Sequence, residues 1–207
     1  FMREDEEIKY NSDSSCIDEA LITKWVKDYQ ILVVSDYQKG FFSTDTLQLL
    51  INICNEFNKP IFIDSKNKDP KSFSNCFCLK VNELEFNYLA EASGLFEKKE
   101  NLIAEKIGEF REKFNISNLV VTLGSKGSMV ANKSEIISSP AIDVEINDIT
   151  GAGDAFISAL VRSVSDDQNF KQNYKNYKFK EDNLKFSNEA SSSVIAFKGT
   201  KPIQKSF

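Results

Sequence analysis

The sequence contains no histidine, and that absence removes more chemistry than any other feature of the chain. A mixed Cys/His zinc site, a histidine-based triad and a histidine general base are all excluded, so any proton acceptor must be a carboxylate, Lys, Tyr or Cys. Cysteine is scarce. The four residues Cys16, Cys54, Cys76 and Cys78 have no zinc-like spacing, and Cys76-Phe77-Cys78 alternates as a strand would. They are expected to be reduced core residues of a cytoplasmic protein. Long apolar runs are missing too, so neither a membrane span nor a signal peptide is expected. No basic stripe exists: 26 Lys and Arg against 31 Asp and Glu give a net charge of −5, which argues against nucleic acid as a partner.

What is present is an alternation of short apolar runs with amphipathic segments, the pattern of an α/β sheet covered by helices. Ile31–Val34, Ile61–Ile63, Cys78–Val81 and Leu119–Thr122 read as buried parallel strands. Helices are predicted over Ile17–Tyr29 (with Ile17, Leu21 and Trp25 on one face), from Ser43 to before Pro60, over Glu83–Glu91, Asn101–Phe114 and Asn183–Phe197, and after Gly153. Met129-Val130 and Ile136-Ile137 read as a hairpin, and Ile142, Val144 and Ile146 alternate as an antiparallel edge strand. The polar stretch 165–181 lacks periodicity and is expected to be an exposed insertion in a single domain spanning 1–207. The chain begins with Phe1 and opens into Arg3-Glu4-Asp5-Glu6-Glu7, which suggests a missing N-terminal portion.

In open α/β sheets ligands lie at the carboxyl ends of the strands. Asp36, Asp64, Asn82 and Gly124 each sit at such an end. Three motifs there carry chemistry. The first is Asp148-Ile149-Thr150-Gly151-Ala152-Gly153-Asp154, followed by an apolar helical run. The amides of Gly151, Ala152 and Gly153 at a helix start suit an anion, and Asp154 beside it suits proton abstraction from a hydroxyl. An ordinary glycine-rich turn with a helix-start Asp would read the same way. The second is Asn82-Glu83-Leu84-Glu85, whose amide and carboxylate can hold the waters of a hard cation such as Mg²⁺, or form a capping box. The third, Thr122-Leu123-Gly124-Ser125-Lys126-Gly127, can cradle phosphate or ribose, or simply lead into a hairpin. It is not a Walker A loop, because Gly-Lys-Ser/Thr and the following helix are absent.

Taken in this order, the motifs resemble the ribokinase-like (PfkB) carbohydrate kinases. The Asp148–Asp154 run matches the family's Asp-Thr-x-Gly-Ala-Gly-Asp signature, with Ile149 in place of its first Thr. Asn82 and Glu85 match its Asn-x-x-Glu, and Thr122–Gly127 its nucleotide loop. Asn188 to Ser192 and Gly199-Thr200 resemble the helix and turn that close over the adenine. Ser35-Asp36-Tyr37-Gln38-Lys39-Gly40 and Asp64-Ser65-Lys66 are similar to segments of the D-glycero-β-D-manno-heptose 7-phosphate kinases, including the kinase half of bifunctional heptose enzymes.

The resemblance implies a three-layer α/β sandwich with a mostly parallel central sheet. The N-terminal strands and lid would be largely missing, with 1–12 a remnant of a lid strand. It implies ATP and Mg²⁺, the latter held through water near Asn82 and Glu85, with ATP along Thr122, Gly124, Gly127, Asn188 and Gly199. A K⁺ ion near the backbone of Asp148 and Thr150, a sugar phosphate reached by Asp36, Lys39 and Lys66, and a possible homodimer follow from it as well. Asp36 and Lys39 as a solvated loop pair, and Lys66 as a surface cation, remain open. So do other acceptors (ribose, a ketohexose phosphate, a nucleoside) and a nucleotide-binding remnant without catalysis.

Overall fold

The computed structural model describes residues 19–95 and 103–197; the expected lid remnant at 1–12, Ile17 and the Gly199-Thr200 turn lie outside them. Six strands form one sheet in the order β1-β2-β3-β4-β5-β6: Leu32–Asp36, Ile61–Ser65, Cys78–Asn82, Asn118–Thr122, Ser128–Ala131 and Ile136–Ser139. The first four are parallel, and β5 and β6 close the sheet as an antiparallel hairpin. Because the parallel strands follow one another in sheet order, right-handed crossovers carry their connections over the same face. Helices α2 (Thr44–Glu56), α3 (Glu83–Ala92) and α4 (Ile103–Lys113) therefore cover that face. Helices α5 (Ala152–Ser165), α6 (Gln168–Asn173) and α7 (Glu181–Ile195) cover the other. This is the expected three-layer sandwich.

Strand alternation divides the core in two. Ile61, Ile63, Leu79, Val81, Leu119 and Val121 face α2–α4, whereas Phe62, Cys78 and Val120 face α5–α7. The α2 stripe of Leu47, Leu50, Ile51 and Cys54 is buried as the spacing predicts, and Ser43 caps it by accepting from the Thr46 amide. The three described cysteines are buried and free. Burial holds the Cys54 thiol up to about 12 and pushes the Cys76 and Cys78 thiols higher still, so none is a nucleophile.

Three expectations require correction. Helix α1 (Glu19–Asp28) buries Ile22 and Val26, while Leu21 and Trp25 stay exposed. Both pairs have helical i, i+4 spacing, and packing against α2 chooses the second. Residues 142–146 form no strand; Ile142 and Ile146 are exposed and line a cavity instead. The stretch 165–181 is not an exposed insertion, for Phe170, Tyr177 and Phe179 are buried in the second core. Phe77 meets Phe170 at 5.7 Å, Tyr174 at 5.4 Å and Phe179 at 6.0 Å between ring centroids. Aromatic burial, invisible in a polar composition, orders the segment.

The β4–β5 turn depends on Gly127. Its φ is +95°, and a Cβ there would stand 2.1 Å from the Ser139 carbonyl oxygen and 2.6 Å from the Ala141 nitrogen. Gly124 also has positive φ but open space around it. Gly127→Ala is expected to lower stability by about 3 kcal/mol or more, and Gly124→Ala by about 1 kcal/mol. Urea unfolding midpoints check the order; equal losses would contradict it.

Candidate active site

The parallel register brings Asp36, Asp64, Asn82 and Thr122 to one edge of the sheet: Ser35 pairs with Asp64, Asp64 with Lys80, and Asn82 with Thr122. On the α5 side of that edge stands Asp154, two residues into α5. The helix begins where Gly151 adopts the left-handed region, φ +82°. The carboxylate of Asp154 is exposed and accepts from the Tyr37 hydroxyl at 2.6 Å on Oδ1 and 2.5 Å on Oδ2. Ser35 Oγ lies 3.4 Å away. The hydrogen bond to Asp154 is the main reason the Tyr37 phenol is held above its ordinary value.

Asp36 does not reach outward. It is 5 % exposed; Oδ2 accepts from Ser65 Oγ at 2.7 Å and Oδ1 from the Gln38 amide at 2.9 Å. Its two oxygens fold the loop that presents Tyr37, so the expected contact with a sugar, and equally the solvated loop pair, is replaced by a buried turn. Lys39 is exposed. Lys66 sits with Nζ 5.4 Å from the Tyr37 ring centroid, a cation–π contact at the rim of the same edge.

Directly beneath the start of α5, the Lys80 ammonium pairs with Asp64 Oδ2 at 2.8 Å, with side-chain exposures of 6 % and 16 %. A Cβ on Gly153 would stand 2.9 Å from that ammonium. A buried cation thus lies directly under Gly153. The alternation of β3 carried the only sequence signal, a lysine in an otherwise apolar strand.

A cavity of about 900 Å³ opens beside this edge. Asn82, Thr122, Gly124 and Gly127 form one wall, Ala152, Gly153 and Asn188 another, and Ile142, Val144, Ile146, Ile149 and Ile195 an apolar end. Several expected residues therefore converge, though some are already committed. Asn82 and Glu85 form a full capping box: Asn82 Oδ1 accepts from the Glu85 amide and Glu85 Oε2 from the Asn82 amide, both at 2.8 Å. The second Glu85 oxygen remains a suitable acceptor for waters of a hydrated cation. Asn188 is pinned, its side-chain amide donating to the Ser139 and Pro140 carbonyls at 3.2 and 3.0 Å; it shapes the wall instead of reading a base.

The Ala152 amide donates to the Ile149 carbonyl at 3.2 Å, which leaves Gly151 and Gly153 as the turn's donors for an anion and corrects the expectation of three. Asp148 Oδ1 accepts from the Thr150 amide at 2.9 Å, bracing the turn from inside. Gly199 lies outside the described residues. Among those residues no group of His, Cys, Asp and Glu has metal-site spacing, and no helix is long and apolar enough to cross a membrane.

The family model for pfkB family carbohydrate kinases matches residues 6–205. The chain belongs to that family. A curated relative, the bifunctional protein HldE of Helicobacter pylori (strain G27), is 28 % identical over 179 residues, covering 86 % of this chain and 36 % of its own length. The chain spans about a third of the length of the first curated relatives it matches. Phosphofructokinase-2 from Escherichia coli in complex with potassium superposes with a TM-score of 0.68 at 18 % identity, covering 88 % of this chain and 57 % of that one. Arabidopsis thaliana ribokinase complexed with ribose and ATP gives 0.68 at 20 %, covering 92 % and 57 %. At these identities the two structures establish the ribokinase-like fold.

The Lys80–Asp64 pair makes this edge sensitive to single replacements. Lys80→Met alone leaves a buried carboxylate unpaired and should lower stability by about 3 kcal/mol. Adding Asp64→Leu should recover most of it, since neither charge then needs a partner. A double-mutant cycle in urea measures both; additive losses would mean that the two groups act independently.

Proposed function

We propose that this pfkB-family chain is an ATP-dependent carbohydrate kinase that uses Asp154 as general base. The observation that carries the reading is Asp154 itself, a carboxylate at the start of α5, adjoining a cavity bounded by the Thr122–Gly127 turn and by Ala152 and Gly153. ATP would lie along that cavity, its adenine toward the apolar end at Ile142, Ile146 and Ile195 and its phosphates toward α5. The Gly151 and Gly153 amides and the positive helix start would stabilise charge growing on the transferred phosphoryl group. Asp154 would take the proton of the acceptor hydroxyl as its oxygen attacks the γ-phosphorus and ADP departs. The Lys80–Asp64 pair beneath Gly153 supports the helix start from below without contacting the nucleotide.

Magnesium, held through waters by Glu85 and Asn82, would neutralise phosphate charge. A potassium ion near the Asp148 and Thr150 backbone fits the braced turn there and would firm the anion site.

For the acceptor we infer D-glycero-β-D-manno-heptose 7-phosphate, giving the 1,7-bisphosphate in the route to lipopolysaccharide core sugars. The similarity to bifunctional HldE proteins and the Ser35–Gly40 and Asp64–Lys66 segments support that choice. Lys66 at the rim, together with exposed Lys39, supplies cationic charge of the kind a sugar phosphate requires. A cytoplasmic location and a homodimer accompany this reading.

ADP release from MgATP with this heptose phosphate, beside a panel of sugars and sugar phosphates, tests the acceptor. Turnover with the heptose phosphate alone is expected, and turnover with another sugar only would overturn the choice. Asp154→Asn should keep nucleotide affinity and lower turnover by about 10²–10⁴-fold; normal turnover would show that Asp154 is not the base.

A further inference from the structure

Both oxygens of Asp154 are engaged by one hydroxyl that belongs to the protein. The Tyr37 phenol lies 2.6 and 2.5 Å from them, where a proton-donating hydroxyl must sit for Asp154 to act as base. The backbone around Tyr37 is fastened on both sides: Asp36 is tied to Ser65 Oγ and to the Gln38 amide, the Lys66 amide donates to the Asp36 carbonyl at 3.2 Å, and Gln38 has a φ of +55°. The side chain itself is about half exposed, so its ring has open solvent on one side while the backbone beneath it is fastened. Lys66, whose ammonium lies over the ring, is the cation beside it.

We propose that Tyr37 is a positioning residue that stands in for the acceptor hydroxyl on Asp154, and that sugar binding displaces it. The inference rests on the reading of Asp154 as base. A hydroxyl on an ionised carboxylate is a strong hydrogen bond, so an incoming sugar must replace it with one at least as good. A correctly placed hydroxyl does so, and a poorly placed one does not. Water competes less well against a phenol already bonded to both oxygens, so the stand-in discriminates against water as acceptor and opposes idle hydrolysis of ATP. Together with Ser35 Oγ, 3.4 Å from Oδ1, it also keeps the carboxylate aimed at the sheet edge before substrate arrives.

The test has a binding arm and a kinetic arm. With ¹³C-labelled tyrosine, the Tyr37 resonance is the one of six lost in Tyr37→Phe. Its titration midpoint should lie above that of free tyrosine in the wild type and fall toward it in Asp154→Asn. Equal midpoints in the two proteins would mean that the contact does not form in solution, and would overturn the proposal. In kinetics, Tyr37→Phe should lower the sugar KM several-fold and raise ATP hydrolysis without sugar several-fold, with a smaller effect on kcat. A tenfold fall in kcat with KM unmoved would instead place Tyr37 in the chemical step and contradict the stand-in role. Absence of turnover with every sugar would remove the kinase reading alone, because the resonance still reports whether the phenol occupies Asp154.

Discussion

The buried pair of Lys80 and Asp64 is the interaction on which the site depends. A lysine in the middle of a parallel sheet is costly unless a carboxylate meets it, and the register that sets Asp64 beside Lys80 provides one at 2.8 Å. The ammonium lies directly under position 153, where a Cβ would stand 2.9 Å from it and push the lysine end aside. Glycine at 153 thus lets the start of α5 settle against the strand ends without displacing the lysine from its partner. With that approach set, Asp154 comes within hydrogen-bond reach of the loop after β1, and the first turn of α5 becomes a wall of the cavity. The helix start is the positive end of α5, where an anion is a suitable occupant; the lysine charge beneath it is balanced by Asp64.

A second constraint is the order of the strands. Four parallel strands in sequence order place every connection after a strand on one edge, so the polar residues at the strand ends are brought together by the parallel ladders themselves. The turn from β4 into β5 then reverses the chain at Gly127, where backbone from the Ser139–Ala141 segment after β6 passes too close for any Cβ. The segment Ile142–Ile149, in which isoleucines and a valine alternate with polar residues, continues from there along the cavity. Ile142, Ile146 and Ile149 are exposed there and gather along one cavity, a surface suited to an apolar group.

Much of this was legible in the sequence. Strands and most helices followed from apolar period, and the Asp148–Asp154 run marked out, by residue type, the turn and helix start at which a base and an anion site are proposed. What remained hidden depends on contacts between distant segments. Nothing local tells that Tyr37 reaches Asp154 across 117 positions, or that Asn188 spends its amide on the Ser139 and Pro140 carbonyls. The α1 face was ambiguous because two adjacent i, i+4 pairs compete. The stretch 165–181 misled because three buried aromatics are outvoted by their polar neighbours in composition, though not in energy. Asp36 was misassigned for a related reason: a carboxylate at a strand end serves equally as a ligand or as a brace, and only its two bonds to Ser65 and Gln38 distinguish them.

The central claim is that phosphate is held against the start of α5. Amide chemical shifts of the ¹⁵N-labelled chain, followed during titration with ATP and separately with adenosine, test it most directly. The account predicts that ATP shifts Gly151, Gly153 and Asp154 strongly, while adenosine moves residues at the apolar end, such as Ile142 and Ile146, and leaves the α5 amides in place. Shifts with ATP confined to another surface, or α5 amides that respond equally to adenosine, would contradict it.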